Sequence, residues 1–375
     1  MQRWVVLGIG GVIALAFAAV LATTGVRALE RADVPACTGA ARLDLPCHVR
    51  RYDVLARTQG PRVALAELKA ARDGDGYVRT ACHQLAHVVG RAAGEQRALA
   101  DAFADGPADG GSLCSGGYFH GVVESAMARL GADPIRDRAR EVCAPLRDTA
   151  PRAPLHYYCA HGTGHGFMAL YASDVHAALA GCDLLEPWEA GHCAGGVFME
   201  NLTAVHNPQR PSRFVRPDDP LYPCAEVAAR YRTECYDKQT SYAMYLADDD
   251  VTTVFAECVA LPDTPGADRT ACVRGLGGKI AILANKFVTG RDAVAVATRS
   301  MCLLGPDAAT RTDCVIGSVT AHVRDHSGVA EAEALCAALR ADPGPLAAVC
   351  DVAVRDAVAT WGLLAAQPVQ PAHPH

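Results

Sequence analysis

The feature that most constrains the fold of this chain is a regular series of cysteines, each preceded by a recognisable motif. The motif is Arg-Thr-x-Cys in four copies and weaker in four more. The full copies end at Cys82, Cys235, Cys272 and Cys314, and the weaker copies end at Cys114, Cys159, Cys193 and Cys350. Their average spacing of about 38 residues is typical of helical solenoid repeats. The sequence therefore predicts a stack of similar helical units.

Twelve of the cysteines form six pairs with 10 to 15 residues between the two members. The pairs are Cys143/Cys159, Cys182/Cys193, Cys224/Cys235, Cys258/Cys272, Cys302/Cys314 and Cys336/Cys350. A disulfide needs its two Cα atoms within about 7 Å, so each pair can join two packed helices near the turn of a hairpin. The threonine of the motif is predicted to be the N-cap of the second helix, with the cysteine in its first turn. Each unit is thus predicted to be a hairpin closed by one disulfide.

The remaining four cysteines stand outside this scheme. Cys37 and Cys47 have nine residues between them and are predicted to close a half-repeat. Cys82 and Cys114 lack a first cysteine in their own repeats. We favour a disulfide between these two neighbouring repeats, because exported proteins rarely keep free thiols. The alternative is a pair of free thiolates next to a metal.

The composition is that of a folded, exported protein. Half of the 375 residues are hydrophobic, and 20% are charged. The net charge of −6 provides no cationic surface, which argues against binding to nucleic acid. Sixteen cysteines are typical of an oxidising compartment. The sequence has no CxxC or zinc-finger spacing, which argues against c-type haem, thioredoxin-like chemistry and iron–sulfur clusters.

The N-terminus contains an uncharged apolar run of 23 residues, at positions 4–26, which is long enough to span a bilayer. We favour an uncleaved signal anchor at residues 1–29, with the rest of the chain on the periplasmic or cell-surface side. The alternative is a long signal peptide that is cut after Ala28, which would make the protein secreted.

The predicted fold is all-α: a disulfide-stapled array of helical hairpins, either an α-solenoid or an α/α toroid, behind an N-terminal transmembrane helix. Residues 30–59 are predicted to be a linker with the half-repeat, and residues 60–365 the repeat domain. Within that domain, the repeats at about 60–206 carry the candidate site and those at about 207–365 are structural. Residues 366–375 are predicted to be a disordered proline-rich tail.

The repeats differ in the residues that follow their second cysteine. Three of the first four copies carry two residues of the histidine or glutamate type four positions apart, and the last four copies carry no histidine or glutamate at these offsets. The pairs are His83/His87, His120/Glu124 and His161/His165, and the fourth copy has Glu200. Residues four apart lie on one face of a helix, which is the spacing by which a helix offers two ligands to one ion. His120 and His165 also share one offset, six residues after the cysteine, so neighbouring repeats should bring the set together.

These five histidines and two glutamates predict a transition-metal site. Imidazole and carboxylate ligands suit iron, copper or zinc, and the number of ligands exceeds what one ion needs, which suggests two. Glu124 or Glu200 would then be available as a catalytic base. Glycines in the first turns of the same helices either allow close helix packing or leave space for a ligand.

Three functions fit this pattern. The first is a membrane-anchored extracytoplasmic metalloprotein, a metal-dependent oxidoreductase or oxygenase rather than a hydrolase. The second is a non-catalytic helical repeat module that binds a metal or a protein partner. The third is a structural scaffold in which the histidines are incidental. Apart from the membrane, the sequence predicts no specific partner.

Overall fold

The computed structural model describes residues 33–106, 113–149, 154–203, 212–262, 268–326, 328–341 and 344–366. Throughout these ranges the regular secondary structure is helical, and the β-type pairing recorded is an isolated bridge between Arg216 and Asp219. The prediction of an all-α protein is therefore confirmed for the described part of the chain.

The described helices follow one another with short connections. In chain order they are α1 (Leu45–Gln59), α2 (Pro61–Gly74), α3 (Gly76–Gln96), α4 (Leu99–Ala104), α5 (Gly117–Leu130), α6 (Ala132–Val142), α7 (Ala144–Thr149), α8 (Pro154–Leu170), α9 (Val175–Cys182), α10 (Pro187–Thr203), α11 (Ala229–Leu246), α12 (Val251–Ala260), α13 (Asp268–Phe287), α14 (Arg291–Cys302), α15 (Ala308–Ala321), α16 (Val329–Leu339) and α17 (Leu346–Ala366). A short 3₁₀ turn covers Gly39–Leu43, a turn with left-handed dihedral angles covers Leu113–Gly116, and a π-helical turn covers His322–His326.

Eight of these helices form a continuous inner row in which each member packs against the next. We call them the inner helices: α3, α5, α8, α10, α11, α13, α15 and α17. The other helices pack beside them, as α9 does on α10 and α12 on α13. The last inner helix, α17, returns to contact α8. Trp361 on α17 makes edge contacts with Tyr157 on α8 and with His192 on α10, so the last inner helix packs against the third and fourth through aromatic side chains.

All sixteen cysteines lie in the described residues and form eight disulfides. The six hairpin pairs, the Cys37–Cys47 pair and the Cys82–Cys114 pair all occur as predicted. Cys82 on α3 is joined to Cys114 in the left-handed turn that precedes α5. The alternative of two free thiolates is therefore wrong.

The predicted N-caps are also wrong. In α3 the N-cap is Asp75, whose carboxylate accepts from the backbone N–H groups of Tyr77 and Val78. Thr80 lies inside the helix and donates its hydroxyl to the carbonyl of Gly76. Asp307 likewise caps α15, several residues before the motif threonine. Aspartate is a strong N-cap, so these helices begin earlier and their cysteines lie beyond the first turn.

Parts of the terminal predictions concern residues outside the described ranges. They are the signal anchor at residues 1–29 and the tail at 366–375, except Ala366, which ends α17. Among the described helices, none has the length and apolar character needed to cross a bilayer.

Candidate metal site

Five histidines meet between three consecutive inner helices. His83 and His87 lie one turn apart on α3, His120 lies on α5, and His161 and His165 lie one turn apart on α8. They form two triads that share His120, one with His83 and His87 and one with His161 and His165. In each triad, one ligand atom from every residue lies within 4.8 Å of the others. Both triads can hold a metal ion.

The spacing of the imidazole rings fits tetrahedral coordination. With metal–nitrogen bonds of ~2.0–2.1 Å, the ring centre of a bound imidazole lies ~3 Å from the ion, and rings at tetrahedral angles are ~5 Å apart. In the first triad the ring centres are 5.0, 5.3 and 5.3 Å apart. In the second triad they are 4.6, 5.2 and 5.3 Å apart. His87 and His165, at 4.8 Å, connect the two triads directly.

Several ring nitrogens of the cluster are buried without a hydrogen-bond partner among the described residues. Both nitrogens of His120 are in this state, as are Nε2 of His161 and Nε2 of His165. These three side chains are at most 2% exposed. A buried polar atom that makes no hydrogen bond costs ~1–3 kcal/mol, so natural proteins seldom keep several together unless they bind something.

Two of the histidines are oriented by hydrogen bonds from their outer nitrogens. His83 Nδ1 lies 2.8 Å from the carbonyl oxygen of Cys114, which can only accept, so Nδ1 is the donor. His165 Nδ1 lies 2.9 Å from Glu200 Oε2 and donates to that carboxylate. In both rings the metal-binding lone pair is therefore on Nε2. A backbone carbonyl or a carboxylate behind the ring is the usual support for a histidine ligand.

The surroundings keep three of the five histidines in the form that binds metal. Burial holds the pKa of His87, His120 and His161 well below the usual value, and the neighbouring imidazoles lower these pKa values further. These three rings are consequently neutral at neutral pH. A neutral imidazole has the lone pair that a metal ion requires.

The two predicted glutamates lie next to the cluster, although neither is a member of a triad. Glu200 supports His165, as described above. Glu124 is 4% exposed, and its Oε2 lies 3.3 Å from the guanidinium of Arg91 and 3.9 Å from His87 Nδ1. Their predicted roles as ligands or as a base stay predictions.

The glycine beside His120 serves close helix packing. A Cβ atom at Gly121 would lie 2.2 Å from the carbonyl oxygen of His87 on the facing helix. Any side chain at this position would push α5 away from α3. At Gly121, the closer approach of the helices is thus the reason for glycine, and this approach brings the histidines together.

Two charged residues of α11 that the sequence did not single out also lie near the cluster. A Cβ atom at Gly195 would lie 2.9 Å from Glu234 Oε2 and 3.5 Å from His161 Nδ1, so the two side chains border the same small volume. Lys238 is 5% exposed, and its charge contributes to the lowered pKa of His120 and His161. In the sequence, Glu234 could have been noticed because it occupies the variable position of the Arg-Thr-x-Cys motif, where two other copies have alanine.

Comparison with known proteins leaves this cluster as the main guide to function. No protein-family model, curated protein or solved structure matches the chain. The five histidines, their supporting groups and the eight disulfides are the observations from which a function can be inferred.

Proposed function

We propose that the protein is an extracytoplasmic metalloprotein whose five histidines hold two transition-metal ions that share His120. The observation that carries this proposal is the state of His120, which belongs to both triads and has both ring nitrogens buried without a hydrogen-bond partner in the described structure. An imidazole presents its two nitrogens in different directions, so one ring can serve two ions. His120 would then be an imidazolate whose ring proton is released on metal binding.

The ligand sets follow from the triads. His83, His87 and His120 would bind one ion, and His120, His161 and His165 the other. Three imidazoles per ion suit zinc, copper or iron and leave a position open. Glu200 would orient His165, and Glu124 would serve as the additional ligand or as the base.

The burial of the cluster favours redox chemistry over hydrolysis of a large substrate. Four of the five cluster histidines are at most 6% exposed, which leaves little surface of the cluster for a macromolecule to contact. Small molecules and electrons can still reach such a centre. A redox-active ion would supply electron transfer there, and we therefore propose a metal-dependent oxidoreductase.

The setting of this site is part of the proposal. Eight disulfides are consistent with an extracellular or otherwise oxidising location. We propose that the hairpins form a repeat array of the α-solenoid or α/α-toroid type. We also propose that residues 1–29 anchor the array to a membrane.

A second candidate function is a non-catalytic module that stores a metal or uses it for stability. The same burial supports this function, because a closed site with protein ligands only is typical of structural metal ions. The two candidates differ in redox behaviour. A structural ion would show no reversible one-electron wave, whereas an oxidoreductase centre would.

The test is metal analysis of tag-free protein after reconstitution with each candidate metal. We expect two ions per chain in the unaltered protein, one in His165→Leu, and fewer than one in His120→Leu. His176→Ala, at an exposed position on α9, is the matched control and should keep both ions. Absence of stoichiometric metal under every condition would overturn the proposal. Retention of both ions, or of one fully occupied ion, in His120→Leu would overturn the shared role of His120.

A further inference from the structure

Aromatic side chains connect the histidine cluster to the last inner helix. Aromatic residues are only 6% of this chain, and it has three tryptophans. Two of these, Trp188 on α10 and Trp361 on α17, lie within two ring contacts of one tyrosine on α8, Tyr157. A rare residue type is therefore concentrated at one edge of the candidate metal site.

A continuous series of ring contacts runs from the cluster to Trp361. The ring centroids of His161 and Tyr157 are 5.9 Å apart, and those of Tyr157 and Trp361 are 5.5 Å apart. Both separations lie within the ~4.5–7 Å at which aromatic rings are packed against each other. Electrons tunnel through packed rings much faster than across a gap, because the tunnelling rate falls steeply with distance. Tyr157 is 7% exposed and Trp361 is half-buried, so the series leads from the buried cluster toward the surface.

His192 on α10 adds a second branch at the same tyrosine. Its ring centroid lies 4.9 Å from that of Tyr157, 4.4 Å from that of Trp188 and 5.5 Å from that of Trp361. Burial, and then the nearby charge of Arg324, lower the pKa of His192 to about 3. This ring is therefore neutral at neutral pH and packs as one more aromatic ring. Tyr157 is the side chain at which both branches meet before the cluster.

Trp361, at the outer end of the series, also lines a cleft. The cleft has a volume of about 380 Å³ and lies between α13, α15 and α17. Ile316 and Val352 give it apolar walls, and Thr320 and Asp356 add a hydroxyl and a carboxylate. Val352 is 46% exposed, so the cleft is open to solvent. Its volume is within the range of ~300–1,000 Å³ that is usual for small-molecule sites.

We propose that a small hydroquinone binds in this cleft and that its electrons reach the histidine cluster through Trp361 and Tyr157. This inference rests on the proposed function, because it needs two redox-active ions at the cluster. A flat, uncharged ring suits an apolar cleft that has a tryptophan in its wall, since aromatic rings pack in offset-stacked or edge-to-face contacts. Two ions that each take one electron also match a donor that gives two.

The reaction balances without a further reactant. The hydroquinone loses two electrons and two protons and becomes a quinone. Each of the two metal ions gains one electron. The O–H bonds break in the cleft, where the carboxylate of Asp356 can accept a proton and pass it to water.

The first measurement tests the cleft alone, by calorimetric titration of the metal-free protein with trimethylbenzoquinone. We expect saturable binding, weakened about tenfold in Trp361→Leu, which is the upper range for the loss of one aromatic contact. Tyr157→Leu should bind the quinone as tightly as the unaltered protein does, because Tyr157 is not in the wall of the cleft. Tyr245→Leu, at a position on α11 that is 58% exposed, is the matched control.

The second measurement is stopped-flow reduction by trimethylhydroquinone of the protein loaded with copper or iron, whichever it holds. At saturating hydroquinone, Tyr157→Leu and Trp361→Leu should lower the limiting rate by about tenfold or more. Both ions and their midpoint potentials should be retained, whereas a purely structural role of Tyr157 would change them. Tyr157→Phe and Trp361→Phe keep a ring in place and should recover most of the rate. Tyr245→Leu should be reduced as fast as the unaltered protein.

The inference is overturned if the quinone does not bind to the metal-free protein, or if Tyr157→Leu with both ions is reduced as fast as Tyr245→Leu. If Tyr157→Leu loses metal, the limiting rate of Trp361→Leu decides in the same way. In these cases the proposed function stands, because the unaltered protein still holds redox-active ions. If the unaltered protein takes up no ion, the proposed function is wrong, and the electron route is wrong with it.

Discussion

The first four inner helices and the last four are built alike and carry different chemistry. In both regions, disulfides join hairpin partners and glycines allow close approach of neighbouring helices. The first region places histidines between its helices, and the second places one lysine, two arginines and an aspartate around a cavity. In this sequence, the residues that build the helical hairpins are therefore different from the residues that carry the chemistry. The cysteines and glycines determine the hairpins, and a few positions after each cysteine determine the site.

We expect the largest effect on stability and metal affinity from the removal of one disulfide in each region. Cys143–Cys159 and Cys258–Cys272 close loops of similar length, with sequence separations of 16 and 14. Replacing either pair by alanines should cost about 3 kcal/mol of stability, because loops of this size have similar closure entropy. We expect only the first double variant to lose metal affinity, since α8 carries His161 and His165. Urea unfolding and metal titration measure the two effects.

Loss of metal affinity in both double variants would contradict the difference between the two regions. If the Cys258/Cys272 variant also lost metal affinity, the histidine cluster would depend on the whole row of inner helices rather than on its own hairpins. The apparent separation between scaffold and chemistry would then be wrong. Unfolding curves at several metal concentrations distinguish this outcome from a general loss of folded protein.

A smaller effect is expected from one glycine in each region. A Cβ atom at Gly121 would lie 2.2 Å from the carbonyl oxygen of His87, and one at Gly317 would lie 2.0 Å from that of Arg274. Both Gly121→Ala and Gly317→Ala should therefore destabilise the fold by about 1–3 kcal/mol, as overpacking does. Only Gly121→Ala should weaken metal binding, because it separates α3 from α5. Equal stability loss with unchanged metal affinity in both variants would contradict the close fit at the cluster.

Much of the fold could be predicted because the signals for it are local. The pairing within each hairpin follows from cysteines 11 to 16 residues apart, and the Cys82–Cys114 pair followed once the others were assigned. The start of the helices could not be predicted from the motif. Both Asp75 and Thr80 could be the N-cap of α3. Asp75 takes this place, because aspartate is the stronger N-cap and its backbone has the extended conformation that an N-cap needs.

The histidine cluster could be predicted for a similar reason. Equal offsets from the cysteines brought His120 and His165 to within 5.2 Å of each other, measured between ring centres. Glu234 and Lys238 could not be assigned to its surroundings. They reach the cluster from α11, and that proximity depends on the packing of α11 against α10 rather than on spacing along the chain. The cavity lined by Asp237, Arg274, Lys279 and Arg324 likewise depends on tertiary packing, since its walls come from three inner helices and a π-helical turn.

The smallest expected effect concerns the support of a single ligand. Glu200 accepts a hydrogen bond from His165 Nδ1 at 2.9 Å and so holds Nε2 toward the second triad. Glu200→Gln keeps the shape and can still accept this bond through its amide oxygen, but it removes the negative charge. Carboxylate partners of histidine ligands typically contribute 10- to 100-fold to metal affinity, and we expect a loss toward the lower end of about tenfold. Titration against a chelator of known affinity measures this loss, with Glu226→Gln at an exposed position as the control.

The loss should be confined to one ion of the two, because the first triad has its own support at the carbonyl of Cys114. Equal weakening of both ions would instead mean that the two triads bind as one unit through His120 and the contact between His87 and His165.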